Sequence, residues 1–241
     1  MIQNLQLRRT FLFLHVALLF LNLDKACAQD STIRKNPFFL SVGAGYASNS
    51  VYGTMADHIL TYWYPTGGKL HMENGGSFMI QIQGGKYISS HFYIASGLNY
   101  IVKKVNPMEE TIVVYRDSLN TGYLSVPLLF GANLFPVNKS AFNAFLEFGP
   151  VANFKVSDKS YAGPDRVGFK TSPLTLSICP GVGISLSASP TQKFILQYQF
   201  MYDLTNAYVE TLYMSQDDPN HDYAYKYKTH IFSFTYRFLF N

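Results

Sequence analysis

The sequence predicts an all-β protein: an eight-stranded antiparallel up-and-down transmembrane β-barrel with short periplasmic turns and four longer extracellular loops. Three observations carry this. Apolar residues recur at every second position in eight segments, the period of a strand and not of a helix. The opposite face of those segments is small, neutral and polar, not charged. Connections alternate between short and long. Composition agrees, since 48% of the 241 residues are hydrophobic, 16% aromatic and only 14% charged. So many aromatics exclude a disordered chain. A net charge of +4 is too weak for a nucleic-acid surface. Two cysteines cannot make a disulfide scaffold.

Residues 1–28 read as a cleaved signal peptide, leaving 29–241 as a single barrel domain. Arg8 and Arg9 give the positive start, Phe11 to Leu23 the apolar core, and Ala26-Cys27-Ala28 the small-residue cleavage site. That core is too short for a spanning helix, which needs about 20 apolar residues. Lipidation at Cys27 is the weaker alternative, because Asp24 and Lys25 do not fit a lipobox.

The strands follow in order. The outward phase of the first runs Phe38, Leu40, Val42, Ala44, Tyr46, and of the second Phe78, Ile80, Ile82. The third alternates from Phe92 to Val102, the fourth from Leu124 to Leu134, and the fifth from Phe142 to Phe154. The sixth runs from Leu174 to Leu186, the seventh from Phe194 to Leu204, and the eighth from Phe232 to Phe240. Several exceed the five or six residues usual in soluble proteins and reach the 9–11 needed to cross a bilayer. Short connections follow strands two, four and six, at 88–91, 136–140 and 189–192. Long ones follow strands one, three, five and seven, at about 48–76, 103–121, 157–172 and 205–224, and Thr111–Tyr115 in the second can extend the strands beyond the membrane. This alternation is that of an outer-membrane barrel.

The alternate face separates a membrane barrel from a soluble one. A soluble barrel must turn it to water and fill it with Lys, Glu and Asp. Here it carries Ser41, Gly43, Gln81, Gln83, Asn99, Ser125, Thr175, Ser177, Gln197 and their like, which suit a lumen just filled by side chains. Pro127, Pro150 and Pro180 fall in mid-strand, where each removes a ladder hydrogen bond. A bulge or a strand end is expected at each.

Thr121-Gly-Tyr-Leu-Ser-Val-Pro-Leu-Leu-Phe resembles the Tyr-Leu-x-Ile-Pro-Leu-Leu strand of the PorT-like outer-membrane β-barrel family of Bacteroidetes-type bacteria, through Tyr123, Leu124, Val126, Pro127, Leu128 and Leu129. The Ala28-Gln29 junction and the aromatic close from Phe232 to Phe240 are similar too. The resemblance implies an eight-stranded outer-membrane barrel, most of whose relatives have no known activity, and a founding member associated with protein secretion across that membrane. No residue here ties this chain to that role.

Chemistry is sparse. His230 and Ser233 are a base and a hydroxyl, but three apart on a strand they point to opposite faces and cannot act together as base and nucleophile. His58, His71, His91 and His221 have no metal spacing. Asp217-Asp218-Pro-Asn220-His-Asp222 reads as a solvated turn rather than a calcium loop. Asn138-Lys-Ser140 falls in a periplasmic turn, and Cys179 points into the lumen as an inert thiol. Gly43-Ala-Gly45 and Gly181-Val-Gly183 relieve crowding inside and are not phosphate loops. No catalytic residue, metal or cofactor is expected. Glu147 and Arg237 share the inward phase at similar heights, so an ion pair or a shared hydrogen-bond network is expected to plug the lumen, against separate satisfaction by neutral neighbours. Tyr62, Trp63 and Tyr64, with Tyr52, are the candidate loop aromatics for a partner, or else part of the girdle at the membrane surface. The expected role is structural or interactive without catalysis. The alternatives are a part of an outer-membrane secretion machine or a lipid-modifying enzyme. Partners are outer-membrane lipid, the barrel-assembly machinery during biogenesis, and a protein at the extracellular loops.

Overall fold

The computed structural model describes residues 37–52, 73–106, 119–137, 140–159, 170–212 and 221–240. Residues 1–28, read as a signal peptide, the candidate loop aromatics Tyr62, Trp63 and Tyr64, and residues 217–220 of the acidic cluster lie outside them, as do His58, His71 and the Thr111–Tyr115 stretch.

Hydrogen bonding divides the chain into β1 (Phe38–Tyr52), β2 (Glu73–Tyr87), β3 (Phe92–Asn106), β4 (Leu119–Asn133), β5 (Phe142–Phe148), β6 (Pro150–Asp158), β7 (Lys170–Thr171), β8 (Leu174–Ile178), β9 (Gly181–Ser189), β10 (Gln192–Asp203), β11 (Tyr208–Leu212) and β12 (His221–Phe240). Several of these are segments of one stave. β5 with β6 makes the fifth, β8 with β9 the sixth, and β10 the seventh. Each stave pairs antiparallel with the next, and β12 pairs with both β10 and β1 to close a ring of eight. Closure satisfies every stave on both sides, as a spanning sheet in lipid requires. β7 and β11 stand with the start of β12 as a small sheet beyond the ring.

The phase read from the sequence holds around the wall. Leu40, Ile80, Leu98, Leu128, Leu146, Leu176, Leu196 and Phe234 all face outward and are exposed. Their neighbours Ser41, Gln81, Asn99, Leu129, Glu147, Ser177, Gln197 and Thr235 are buried inside. An apolar exterior round a polar interior is the signature of a barrel in lipid.

Two expectations needed adjustment. β12 begins at His221 rather than near Phe232. Its outward residues above Phe232 are His230, Lys228 and Lys226, so the apolar alternation ends there while the strand continues. The three prolines interrupt bonding but not register. Pro150 opens β6 and Pro180 separates β8 from β9. Yet Pro150 opposes Ile178 and Phe142 opposes Leu186, on one unbroken diagonal. Cys179 N–H donates to the Gly149 carbonyl at 2.8 Å, and Phe200 N–H to the Pro180 carbonyl at 2.9 Å. Pro127 stays within β4. Its carbonyl accepts from Ser96 Oγ at 2.7 Å, beside the two residue pairs missing from the β3–β4 ladder. No bulge forms there. Gly149 is a close approach of the wall, where a Cβ would lie 1.9 Å from the Leu128 carbonyl oxygen.

Candidate functional site

The lumen is where charge and polarity converge, and it is filled at two levels. Near the periplasmic end, four aromatic rings cross it. Phe39, Tyr87, Tyr93 and Phe145 are each at most 3% exposed. Their rings meet at centroid distances of 5.3–6.5 Å, tilted or edge to face, the arrangement aromatic pairs favour. Glycines on neighbouring staves make the room. A Cβ at Gly131 would lie 2.0 Å from the Tyr93 ring, at Gly85 2.2 Å from Phe39, and at Gly183 2.4 Å from Phe145. These lumenal glycines are the small half of a large-and-small alternation.

Arg237 and Glu147 join this layer. Arg237 donates from Nε to Ser41 Oγ at 2.9 Å and from Nη1 to Tyr87 Oη at 3.3 Å. Its guanidinium stands 4.0 Å from the Phe39 ring centroid and 5.3 Å from that of Tyr93. Glu147 accepts from the Tyr93 hydroxyl and from Gln197 Nε2. The two charges form no direct ion pair. Tyr93 lies between them, its hydroxyl on the carboxylate and its ring facing the cation.

Towards the loops, β3 and β10 bring Lys103 and Asp203 together. Lys103 Nζ lies 2.7 and 3.0 Å from the two carboxylate oxygens, with both side chains 0% exposed. Asp203 also accepts from Ser177 Oγ at 2.6 Å and from the Tyr227 N–H at 3.3 Å. The ammonium faces the rings of Tyr123 and Tyr227 at 5.2 and 5.1 Å. Tyr227 donates to Tyr208 Oη at 2.9 Å, and Tyr208 meets Thr121 Oγ1. From Asp203 a chain of bonds runs down through Ser177, Asn153 and Ser125. Sequence reading passed over Lys103, although one further step beyond Val102 places it inside. Asp203 falls one residue before Leu204, the end of the seventh strand as read from the sequence, and local spacing pairs it with nothing. Lys193 is a third buried cation, donating to the Val137 carbonyl at 3.2 Å.

The other candidates fall as follows. His230 faces outward, its Nδ1 2.7 Å from the Tyr198 hydroxyl, while Ser233 is buried inside with Oγ unpaired. The two stand on opposite faces of β12 and form no catalytic pair. Cys179 is a buried free thiol. Tyr52 stacks on Tyr202 at 4.7 Å on the upper wall. His91 is held in its turn by Ser90 Oγ at 3.0 Å.

Comparison with known proteins agrees with this geometry. The family model "Outer membrane protein beta-barrel domain" matches residues 28–209. The outer membrane protein OprG of Pseudomonas aeruginosa superposes with a TM-score of 0.55 at 10% identity, over 87% of this chain and 99% of that one. Neisserial surface protein A gives a TM-score of 0.47 at 11% identity, over 83% of this chain and 96% of that one. AlkL, solved in lipid bilayers, gives 0.46 at 11%, over 89% and 94%. No curated protein sequence matches. The chain belongs to the outer membrane protein β-barrel domain family, and its place is the outer membrane.

Proposed function

We propose that the protein is a rigid, closed barrel with a structural or interaction role, presenting its four long loops outside the cell, without catalysis and without a conducting pore. The signal peptide at residues 1–28 delivers it, and the narrower PorT-like resemblance around Tyr123–Leu129 belongs to the same reading. The observation that carries it is the filled interior. Inward side chains from Arg237 at one end to Lys103 at the other are buried, and an open channel would leave them wet. Eight staves enclose only enough space for side chains. With inward side chains buried and no paired base and nucleophile among the described residues, the loops are the surface left for a partner.

Two measurements on the full chain test this. Reconstituted in planar bilayers, the barrel should show no stepwise conductance, and discrete steps would defeat the closed reading. Pull-down from detergent-solubilised outer membrane should recover a protein partner, lost when Tyr62, Trp63 and Tyr64 are changed to Ser. Recovery that ignores the triple change removes those aromatics from the role.

A further inference from the structure

The lipid-facing wall is not uniform. A groove of about 520 Å³ crosses it, lined by Leu146, Val182, Ile184, Leu196, Tyr198 and Phe232. It follows the residue pairing from β5 to β12, with Ala144 opposite Ile184, Ile184 opposite Leu196, Val182 opposite Tyr198, and Tyr198 opposite Phe232. Ala144 is the short outward side chain among longer ones and leaves the groove open.

Directly above Phe232, the outward face of β12 changes chemistry. Five aromatic residues from Phe240 to Phe232 give way to His230, Lys228 and Lys226. Tyr198 joins the two zones, because it lines the groove while its hydroxyl meets His230 Nδ1 at 2.7 Å. Tyr202 and Ser50 flank Lys228 on the adjoining staves, and Lys228 Nζ stands 4.8 Å from the Tyr52 ring. Among the described residues no carboxylate pairs with Lys226 or Lys228, whereas Lys155 has Asp158 at 3.6 Å. With a rise of about 3.3 Å per residue and a tilt near 40°, Phe232 stands roughly 20 Å and Lys228 roughly 30 Å above Phe240. The apolar band of such barrels is about 25 Å tall. The groove therefore lies in the acyl region, and the two lysines lie at the level of the outer headgroups.

We propose that this wall holds one outer-leaflet lipid, its phosphate on Lys226 and Lys228 and an acyl chain in the groove below Tyr198 and Phe232. Two ammonium groups that meet no carboxylate among the described residues put positive charge at the one depth where lipid carries phosphate anions, and ammonium is a strong phosphate partner. A second copy of the chain suits the site less well. A two-fold contact through β12 would set the same lysines against each other, and like charges juxtaposed are costly.

The test is native mass spectrometry of the full barrel in detergent, titrated with phosphorylated lipid A. One adduct per chain is expected. Retention should fall at least about tenfold for the same lipid A after phosphatase treatment, and equally for the Lys226→Gln/Lys228→Gln double variant. Ala144→Phe, which fills the groove and leaves the lysines, should weaken retention too, and Ala144→Leu serves if the larger change prevents folding. Lys104→Gln, outward on the distant β3, should change nothing. An excess of inorganic phosphate should not displace the lipid. Equal retention of the dephosphorylated lipid, equal loss with Lys104→Gln, displacement by inorganic phosphate, or a dimer in place of the adduct would each overturn the site. Heat-dependent gel migration of every variant establishes that the barrel is intact.

Discussion

The two ends of the lumen bury charge in different ways. Near the loops, Lys103 and Asp203 meet directly, and two further donors complete the carboxylate. Near the periplasm, Glu147 and Arg237 stay apart, each satisfied by neutral groups, with Tyr93 between them. A charge taken out of water is costly unless it is paired or well bonded. The upper end meets that demand with an opposite charge and the lower end with hydroxyls, an amide and ring faces. The upper layer should therefore depend on two residues, and the lower one on many small contacts.

The sharpest way to break this contrast is to remove one partner at the upper end. Lys103→Met leaves the Asp203 carboxylate buried without its cation, and removing one member of a buried pair costs about 3–5 kcal/mol. The double change Lys103→Met/Asp203→Leu should cost less than Lys103→Met alone, because no charge is stranded. Urea unfolding in lipid vesicles reads both. A double variant as unstable as the sum of its singles would mean the two groups act independently.

The wall supplies the next largest effect. Leu128 is 44% exposed to the lipid side, and Leu128→Arg should cost about 2–4 kcal/mol near the bilayer midplane. The Asn133 side-chain amide, inward on the same strand, donates to the His91 carbonyl at 3.3 Å and has no other partner among the described residues, so Asn133→Ala should cost far less in the same assay. The reverse order would shift the register by one and exchange every inward and outward side chain.

Register was readable in the sequence because the barrel has two unlike solvents, lipid outside and packed polar groups inside, so each strand records both in alternate residues. That is why Leu128 and Asn133 fall where their spacing puts them, and why even Pro150 and Pro180 interrupt bonds without moving the phase. The extension of β12 beyond Phe232 was hidden, because a strand leaving the membrane no longer needs an apolar face. The partners inside the lumen were hidden for another reason. Lys103 and Asp203 are 100 residues apart, and what joins them is the circumference of the closed ring, which no local pattern encodes. The inward phase of Glu147 and Arg237 was legible, but the ring of Tyr93 between them was not, because side-chain reach across a lumen depends on which glycines yield space.

The lower end supplies the smallest and most discriminating effect. Tyr93→Phe keeps the ring facing Arg237 and deletes the hydroxyl on Glu147, which loses one of two side-chain donors. Leaving a buried acceptor short of a partner costs about 1–3 kcal/mol. The finer quantity is the coupling between Glu147→Gln and Arg237→Met in a double-mutant cycle. Neighbours sharing a network couple by about 0.5–3 kcal/mol. With no direct ion pair, this cycle should fall at the low end of that range and below the Lys103–Asp203 cycle. Repeated in the Tyr93→Phe background, the coupling should drop towards zero, because among the described residues the hydroxyl is the one bonded link from the carboxylate to a ring that the cation faces. A coupling that survives the loss of the hydroxyl would mean that Glu147 and Arg237 sense each other through the low-dielectric lumen itself. Both ends of the barrel would then bury charge by the same direct attraction, differing only in distance.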